Sequence, residues 1–429
     1  MDLTKKTLLM LGGGAYARDV YQYKKDSGFR VITVGEIEDP RTASFSDKHY
    51  FSSRTDINEL SKIVAAEKVD GIFVGSSEEY ASVAITLSEC TNAHFYATRK
   101  QWDILQNKAR FKRCARECGF PVIPEFTITN PQDTREVESL SYPIMIKPTD
   151  SSGAKGVNAC YKADDFQHFY NEALKWSHKK EVIVEKLITD AVDFCVSYTI
   201  QNAEATLSYA YTKFKVTSPD HFVSIPMFHM FPSRYIDEYC EKVDESAKQF
   251  IKKIGIENGG LILQGFYKDG KFAFYEAGYR LGGGQVYILT DYQNNANLLR
   301  YIINQVLVGK MADYRIAERE QAHFHSPCCN YYMPLKAGVI KRIYGLDQVK
   351  QMKGVLNVTQ MRGEGDKIVD TNALDRVVFR IHAVAPTNEE LASLLEKISN
   401  TIRVYSDTDE EMQMEPLTYS HCLEIINKM

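Results

Sequence analysis

A lysine at the end of an apolar strand is the first residue in the chain that calls for a chemical partner. Ile144–Lys147 is a largely aliphatic run that ends at Lys147, just before Pro148. Burying an ammonium group is costly unless an anion meets it. The loop that follows, residues 151–157, is small, contains glycine and offers hydroxyl and backbone donors. Loops of this composition bind phosphate groups. The segment therefore predicts a phosphate site, and a glycine-rich surface turn is the alternative.

A second apolar strand further along the chain also ends in charged residues. Val182–Val184 leads into Glu185 and Lys186, then the apolar residues Leu187 and Ile188, with Asp193 shortly after. Such a strand offers backbone groups and an apolar wall to a purine ring, and a nearby carboxylate suits the hydroxyls of a ribose. Taken alone, the stretch fits an ordinary edge strand equally well.

The third element places an amide and a carboxylate opposite each other. Residues 268–271, Lys-Asp-Gly-Lys, predict a hairpin over Leu261–Tyr279. In that hairpin Gln264 and Glu276 share one face, and Mg²⁺ prefers such oxygen ligands together with phosphate. An inward glutamate is costly unless it is paired or bound to a metal. Arg280 suits a bidentate grip on a carboxylate or phosphate, and a structural Glu–Arg ion pair is the alternative.

These three elements, in this order and preceded by Asn107-Lys108-Ala109-Arg110, resemble the ATP-grasp superfamily. The resemblance implies that ATP lies between two α+β subdomains, next to an N-terminal α/β domain that usually binds no dinucleotide. The implied phosphate ligands are Lys108, Lys147 and the loop residues Ser151, Ser152, Gly153, Ala154, Gly156 and Val157. The implied contacts to adenine and ribose are Glu185, Lys186, Leu187 and Asp193; those to Mg²⁺, or Mn²⁺ in its place, are Gln264 and Glu276. Lys147 and Arg280 are the implied catalytic residues, and His229, Arg280, Gly283 and Gly284 are expected at the substrate.

Two positions depart from the family pattern. Gln264 stands where most members have Asp or Glu, although relatives of carbamoyl-phosphate synthetase have Gln. Gly278 stands where the family has Asn, so one metal ion lacks a side-chain ligand. Whether one or two Mg²⁺ ions bind is therefore open.

The C-terminal part narrows the resemblance. The segments 336–346, 354–356, 365–366 and 388–390 resemble the cap of L-amino-acid ligases, which form dipeptides. The implied reaction joins a small-molecule carboxylate and an amine into an amide or peptide through an acyl phosphate, with an amino acid as substrate. The alternatives are a carboxylase or carbamoyl-phosphate-synthetase-like enzyme using bicarbonate, a non-catalytic ATP-binding relative, and a dinucleotide oxidoreductase.

The elements that position these residues follow from hydrophobic periodicity. In residues 1–100, short aliphatic runs at Thr7–Leu11, Arg30–Val34 and Gly71–Val74 alternate with helical spacing, which predicts a doubly wound α/β domain. Residues 12–17, Gly-Gly-Gly-Ala-Tyr-Ala, formally fit a dinucleotide-binding pattern. A tight strand-to-helix turn is the favoured interpretation.

The rest of the chain predicts an α+β organisation. Its expected divisions are 1–100 for the N-terminal domain, 101–192 for the small ATP-grasp subdomain, 193–320 for the central subdomain and 321–429 for the cap. Helices are predicted at Ala15–Ser27, Asp56–Glu67, Glu78–Cys90, Gln101–Cys118, Ala163–Ser177, Ser233–Lys253 and Asn388–Thr401. Further strands are predicted at Val122–Ile128, Ile144–Lys147, Val157–Tyr161, Val182–Leu187, Gly338–Ile343, Val355–Gln360 and Val377–Val384, with antiparallel strands over Phe194–Val216.

Composition limits the function classes. A chain of 429 residues with a net charge of −4 predicts several domains and gives no reason to expect nucleic acid as a partner. No apolar run approaches the roughly 18–20 residues of a membrane helix, and the N-terminus lacks a signal-peptide pattern. Nine cysteines without a CxxC motif predict reduced thiols in a cytoplasm. The oligomeric state is open, with a homodimer as the common assembly of such families.

Two pairs of residues and one histidine each admit two interpretations. Cys114 and Cys118 share a helix face, and His323 and His325 also have the spacing of metal ligands, but neither pair has a second pair of ligands nearby in sequence. Ordinary thiols and imidazoles are favoured. His229 is predicted in a loop that reaches the substrate or phosphate, and a packed ring is the alternative.

Overall fold

The computed structural model describes residues 1–151, 155–216, 225–370, 374–414 and 416–428. Three residues of the expected phosphate loop, Ser152, Gly153 and Ala154, lie outside this range. Within the described ranges, no helix is both long enough and apolar enough to cross a lipid bilayer.

The N-terminal region forms a parallel sheet with helices around it, as the aliphatic runs predict. Its strands are β1 (Thr7–Met10), β2 (Arg30–Gly35), β3 (Lys48–Phe51) and β4 (Gly71–Phe73), in the order β3-β2-β1-β4. Its helices are α1 (Ala17–Ser27), α2 (Pro40–Ala43), α3 (Ile57–Glu67) and α4 (Glu78–Cys90). The sequence did not predict β3, because this edge strand has no buried residue and no aliphatic run.

A small antiparallel sheet follows. Its elements are α5 (Arg99–Gln106), α6 (Lys108–Arg116), β5 (Glu125–Phe126), α7 (Thr134–Glu138), β6 (Ile144–Pro148), β7 (Asn158–Cys160), α8 (Phe166–Trp176) and β8 (Val182–Lys186). The strand order is β5-β8-β6-β7, so the two strands that end in the predicted site residues are neighbours.

The third part is an eight-stranded sheet with the order β13-β12-β9-β10-β11-β14-β18-β16. Its strands are β9 (Val192–Gln201), β10 (Glu204–Val216), β11 (Ile225–Phe231), β12 (Gly259–Lys268), β13 (Lys271–Tyr279), β14 (Cys328–Pro334), β16 (Val355–Gln360) and β18 (Val377–Val384). A separate three-stranded sheet contains β15 (Gly338–Tyr344), β17 (Lys367–Ile368) and β19 (Arg403–Ser406). The helices of this part are α9 (Ile236–Lys242), α10 (Asp244–Ile254), α11 (Tyr287–Asn294), α12 (Leu298–Val308), α13 (Leu346–Lys350), α14 (Asn388–Thr401) and α15 (Tyr419–Lys428).

The large sheet has one apolar and one polar face where β11, β14 and β18 meet. Phe228, Tyr331 and Ile381 pack in a core that also contains residues of α14 and α15. The residues that alternate with them point the other way, as the period of two in a strand requires. Strands from beyond residue 320 therefore complete the sheet that begins at β9, while the four expected divisions of the chain remain predictions.

Three predicted elements differ from the structure. The helix expected over Gln101–Cys118 is two helices, because Asn107 is extended and caps α6 by accepting from Arg110 N. The helix over Ser233–Lys253 starts later and breaks at Val243. The strand over Val122–Ile128 is reduced to Glu125–Phe126, with an isolated bridge from Val122 to Phe274 before it, and Pro124 between them has no N–H to donate.

Candidate functional site

A cavity of about 360 Å³ lies between the small sheet and the large one. Its lining includes Met145 of β6, Leu187 and Ile188 after β8, Phe266 of β12 and Tyr275 of β13. These walls are apolar and aromatic, while Lys147, Glu185, Lys186 and Asp193 also contribute to the lining. An apolar slot with a few polar groups at its ends is the usual form of a small-molecule site.

Two lysines share one buried carboxylate beside this cavity. Glu185 is 1 % exposed, and its Oε2 lies 2.6 Å from Nζ of Lys147. Its other oxygen is paired with Lys112 of α6, whose side chain is fully buried. Burial lowers the pKa of Lys112 to about 8 even though Glu185 opposes that shift. The side chain of Glu185 thus points into a lysine cluster, and its backbone remains for the role expected beside adenine.

Lys112 was missed from the sequence. It stands four residues after Lys108 in α6, so both fall on one helix face. Once Lys108 is predicted to bind phosphate, this spacing of four residues would also have indicated Lys112.

Lys108 lies at the start of α6 and reaches the expected phosphate loop. Its Nζ donates to the backbone oxygen of Ser151 at 2.8 Å. Burial lowers the pKa of Lys108, and Glu276 partly offsets the effect. At Gly156 the backbone has φ +72°, and a Cβ there would lie 2.9 Å from Trp176. The loop therefore needs glycine at this point, and Val157 follows it into the cavity wall.

Asp193 lies at the start of β9, at the other side of the cavity. Its Oδ2 is 2.8 Å from Nζ of Lys215, and its Oδ1 is buried with no hydrogen-bond partner among the described residues. A buried oxygen of this kind is costly unless something donates to it. The position fits the hydroxyl-binding carboxylate that the sequence predicts. Lys215, which the sequence analysis missed, shares a strand face with Tyr211 and Lys213.

The hairpin of β12 and β13 has the predicted register. Gln264 and Glu276 are direct partners in the ladder. Oε1 of Gln264 accepts from Nζ of Lys213 at 2.6 Å, whereas within the described chain Glu276 has neither an ion pair nor a hydrogen bond. Gly278 leaves room for a side chain, since a Cβ there would meet only Arg280, at 3.7 Å.

Arg280 forms an ion pair, but its partner is Glu78 and not the hairpin glutamate Glu276 that the sequence alternative considered. Its Nη2 and Nε donate to Oε1 of Glu78, at 2.8 and 3.1 Å. Glu78 is the first residue of α4, so the pair joins the end of the hairpin to the N-terminal domain. Arg280 therefore lies between the hairpin and the N-terminal domain, where a substrate carboxylate is expected. Its positive charge is already partly neutralised by Glu78.

The two glycines Gly283 and Gly284, which follow Arg280, differ in their surroundings. Gly283 is exposed, and a Cβ there would meet only Oγ of Ser76, at 3.8 Å. The carbonyl of Gly284 accepts from Nδ2 of Asn330 at 2.7 Å, and His382 Nε2 lies 2.9 Å from it. Gly283 is thus open to a ligand, whereas Gly284 is fixed from the polar face of the large sheet.

His229 lies in β11 and not in a loop, which corrects the prediction. Its ring stacks on Tyr211 with centroids 4.4 Å apart, and Nδ1 is 3.3 Å from the hydroxyl of Tyr332. Burial holds the pKa of His229 well below its usual value, and the nearby charges of Lys213 and Arg380 add to the shift. The ring of His229 is packed, as the alternative interpretation predicts. It nevertheless lies on the polar face of the large sheet.

Arg380 of β18 is a further residue that the sequence analysis missed. It is 5 % exposed and has no carboxylate partner in the described part of the chain. Its Nη1 donates to Oε1 of Gln285 at 2.9 Å, and its Nε has no acceptor among the residues that the structure describes. On the same face, Nδ1 of His382 and Oδ1 of Asn330 are also buried, with no hydrogen-bond partner in the described ranges. The signal in the sequence is Arg380 and His382, two residues apart in an otherwise apolar strand.

The weaker sequence motifs give no site. Among the described residues no three His, Cys, Asp or Glu side chains come together to hold a metal ion, and all nine cysteines are free. His323 lies 2.8 Å from Asp237 at the surface. At Gly12 a Cβ would lie 2.6 Å from the ring of Tyr80, so the first glycine turn is closely packed. This packing explains the glycine without a dinucleotide.

Two family models match the chain. Residues 107–283 match the carbamoyl-phosphate synthase L chain, ATP-binding domain, and residues 331–407 match the L-amino acid ligase C-terminal domain 2. Both matches fall where the sequence resemblance places them.

Individual proteins extend the similarity over the whole fold. The carbamoyl phosphate synthase large chain of Methanothermobacter thermautotrophicus is 24 % identical over 174 residues, which cover 39 % of this chain and 16 % of that protein. The L-amino acid ligase of Bacillus licheniformis superposes with a TM-score of 0.75 at 17 % identity, covering 94 % of this chain and 99 % of that one. The biotin carboxylase domain of Hydrogenobacter thermophilus 2-oxoglutarate carboxylase, solved with MgADP and bicarbonate, gives 0.76 at 16 % identity over 98 % and 94 % of the two chains. At such identities the structures establish the shared fold, and the curated relative is matched over only a small part of its length.

Proposed function

We propose, from the premise that the chain belongs to the ATP-grasp superfamily, that it is an ATP-dependent carboxylate–amine ligase that forms an acyl phosphate. The observation that supports this most is the excess of positive charge beside the cavity. Lys112 and Lys147 share the single carboxylate of Glu185, and Lys108 lies beside the adjoining loop. A buried cluster with more ammonium groups than carboxylates favours an anionic ligand such as a triphosphate.

The nucleotide position follows from the two ends of the cavity. The purine would lie against Met145, Leu187 and Phe266, beside the backbone of the Glu185–Leu187 segment. Its ribose would donate to the unpartnered Oδ1 of Asp193. Lys186, which is exposed, would flank the base from outside. The phosphates would then extend past Lys147 and Lys108 toward the β12–β13 hairpin.

The hairpin fits one Mg²⁺ ion. The carboxylate of Glu276 has no ion pair or hydrogen bond among the described residues, whereas Oε1 of Gln264, its partner in the ladder, already accepts from Lys213. A half-buried carboxylate in an aromatic strand needs a cation, and phosphate oxygens complete the shell of Mg²⁺. When bound, the ion would neutralise charge on the phosphates during transfer.

The reaction needs ATP because a carboxylate is a poor electrophile. A carboxylate oxygen attacks the γ-phosphorus, the bond to the β–γ bridging oxygen breaks, and ADP leaves. Lys108 and Lys147 hold the phosphates in line during this step. The amine then attacks the acyl carbon, phosphate leaves with the former carboxylate oxygen, and the amine proton passes to solvent. Arg280, positioned by Glu78, faces the acyl group and stabilises the oxyanion.

An amino acid is the proposed substrate class. Within the described part of the chain, Arg380 presents a donor, Nε, without an acceptor, while His382 and Asn330 present acceptors, Nδ1 and Oδ1, without donors. These atoms lie around Gly284, next to the exposed Gly283 and the ring of His229. A carboxylate and an ammonium on one small molecule would satisfy both kinds of atom. The match of residues 331–407 to the L-amino acid ligase C-terminal domain supports the same class.

The compartment and assembly remain proposals too. The free cysteines are consistent with a reducing cytoplasm, and one structural neighbour is described as a dimer. We therefore propose a cytoplasmic enzyme that acts as a homodimer on small molecules.

The test is release of ADP and phosphate from Mg-ATP across a panel of single and paired amino acids and other small carboxylic acids, with Glu276→Ala as the matched control. We expect release that needs an acid and an amine together and that is lost in the variant. Release that depends on bicarbonate and no amino acid would assign the carboxylase-like alternative. Binding of ATP without release in any mixture would favour a non-catalytic protein.

A further inference from the structure

The hairpin offers fewer oxygen ligands than two metal ions need. Glu276 is the one carboxylate at the predicted metal positions, Gln264 contributes an amide oxygen, and Gly278 contributes no side chain. The space at Gly278 is not taken up by another side-chain oxygen, since a Cβ built there would meet only Arg280. A second ion thus lacks a protein ligand at this position.

The amide oxygen of Gln264 accepts a hydrogen bond from a lysine. Nζ of Lys213 donates to Oε1 of Gln264 at 2.6 Å. The two residues are two strands apart, because β9 runs between β10 and β12. The residue of β9 that pairs with Gln264 is Cys195, which is small and buried, so the lysine reaches over it.

No carboxylate of the described residues neutralises the ammonium of Lys213. Asp193, its partner in the β9–β10 ladder, is paired with Lys215. Within the described residues Lys213 has no ion pair, and its other near neighbours are the ring of Tyr211 at 5.9 Å and the buried, neutral His229. One N–H is donated to Gln264, so two remain for a ligand.

We propose that Lys213 replaces the second metal ion, so that the site works with one divalent cation and one ammonium group. This inference rests on the proposed function. A divalent ion bound to Oε1 of Gln264 would lie within a few ångströms of Nζ of Lys213, and two cations at that distance repel strongly in a partly buried site. The lysine provides positive charge and hydrogen bonds to the terminal phosphate without needing the ligand that Gly278 lacks.

The test counts metal ions with Mn²⁺ as the probe. Protein is saturated with a non-hydrolysable ATP analogue and titrated with Mn²⁺, and bound ions are counted from the electron paramagnetic resonance of free Mn²⁺. We expect one tightly bound Mn²⁺ per bound analogue and no spin coupling between ions. Two tightly bound, coupled ions in the unaltered protein overturn the proposal while leaving the nucleotide site intact. No binding of the analogue at all overturns the proposed function and this inference together.

The double variant Lys213→Gln with Gly278→Asn sharpens the result. It removes the competing ammonium and restores the missing oxygen, so we expect a second Mn²⁺ to bind at least tenfold more tightly than in the unaltered protein. Lys248→Gln is the control, because it removes a lysine of α10 that pairs with Asp244 and does not line the cavity, and its count should stay at one. A double variant that folds, binds the analogue and still takes a single ion shows that Lys213 does not exclude the second, and the proposal fails.

Discussion

The two ends of the proposed nucleotide site differ in how their charges are arranged. At the cavity end, Glu185 is paired with two lysines and Asp193 with Lys215. At the hairpin end, Glu276 has no partner in the described chain, and Gln264 is bound by Lys213. Every carboxylate named at the cavity end is thus paired within the fold, with lysines in excess around Glu185, whereas at the hairpin end neither Glu276 nor Lys213 has an ion pair among the described residues.

This difference suggests that the cavity end serves to bind the nucleotide and the hairpin end serves the transfer of the phosphoryl group. Paired charges are stable without a ligand and position their groups in advance, which suits recognition of a nucleotide. Unpaired charges need an external partner, which suits a metal ion and a transferring phosphoryl group. The departures from the family pattern, Gln264 and Gly278, both lie at the hairpin end. Substitutions at the two ends should therefore affect different quantities.

Glu276→Ala should have the largest effect of any substitution on catalysis. In the proposed mechanism this carboxylate is the charged ligand for Mg²⁺, so we expect its loss to lower phosphate release by about 10³-fold or more. Nucleotide affinity, measured by calorimetry with the ATP analogue, should change far less. Glu276→Gln keeps the shape and removes the charge. If this variant retains normal turnover, the hairpin end does not work as described.

Glu185→Gln should act on stability. It leaves Lys112 and Lys147 buried without a counter-charge, and breaking a buried ion pair from one side costs about 3–5 kcal/mol. The measurement is the free energy of unfolding in urea. Gln264→Ala at the hairpin end serves as the comparison and should cost much less. Equal losses at the two positions would contradict the distinction between the ends.

The pKa of Lys112 gives the cavity end a pH dependence. Burial depresses this pKa to about 8 in the folded protein, below the unfolded value of about 10.4. Between these values the unfolded chain binds more protons, so stability rises with pH, by up to about 1.4 kcal/mol per unit. We expect the unaltered protein to gain stability relative to Lys112→Met between pH 8 and 10. If the stabilities of the two proteins change with pH in parallel, the pKa of Lys112 is not depressed in the folded protein.

Asp193→Asn should weaken nucleotide binding by about tenfold, because one hydrogen bond from a ribose hydroxyl to a charged acceptor contributes roughly 1.5 kcal/mol. Deoxy-ATP analogues provide the control. The unaltered protein should discriminate against 2′- or 3′-deoxy forms, and the variant should not. If discrimination survives in Asp193→Asn, the ribose lies elsewhere.

Gly278→Asn should have the smallest effect on stability. The backbone there is not left-handed, and a Cβ would make only ordinary contact with Arg280, at 3.7 Å, so we expect a smaller loss of stability than at the other positions. Gly265→Asn in the same hairpin is the matched control, since its Cβ would lie 2.6 Å from the carbonyl of Ala273. Thermal unfolding of the two variants separates them. Equal destabilisation would mean that Gly278 is fixed by packing and not by function.

The sequence predicted the fold class and most strands, because buried strands and amphipathic helices follow hydrophobic periodicity. The register of Gln264 against Glu276 was predicted as well, since a short Lys-Asp-Gly-Lys turn sets it. The breaks at Asn107 and Val243 were not, because each lies inside a continuous helical pattern. Capping by Asn107 decides the first break, but an asparagine is also tolerated inside helices.

The partners of the site residues were harder to predict than their positions. Nothing local to Arg280 indicates Glu78, which is about two hundred residues away. Lys213 and Arg380 were missed for a related reason. Each is one charged residue in an alternating strand, and only the sheet order shows that they lie on the same face as His229. Long-range pairing of strands, and not local spacing, brings these charges together.

The most direct test of the proposed mechanism follows one oxygen atom. A carboxylic acid identified by the substrate panel is labelled with ¹⁸O in its carboxylate and incubated with Mg-ATP and the amine. Transfer of the γ-phosphoryl group to that carboxylate predicts one ¹⁸O atom in each released phosphate, seen by phosphorus NMR or mass spectrometry, with ADP unlabelled. Phosphate without label, or label found in a nucleotide product, would contradict an acyl phosphate and the function proposed for this site.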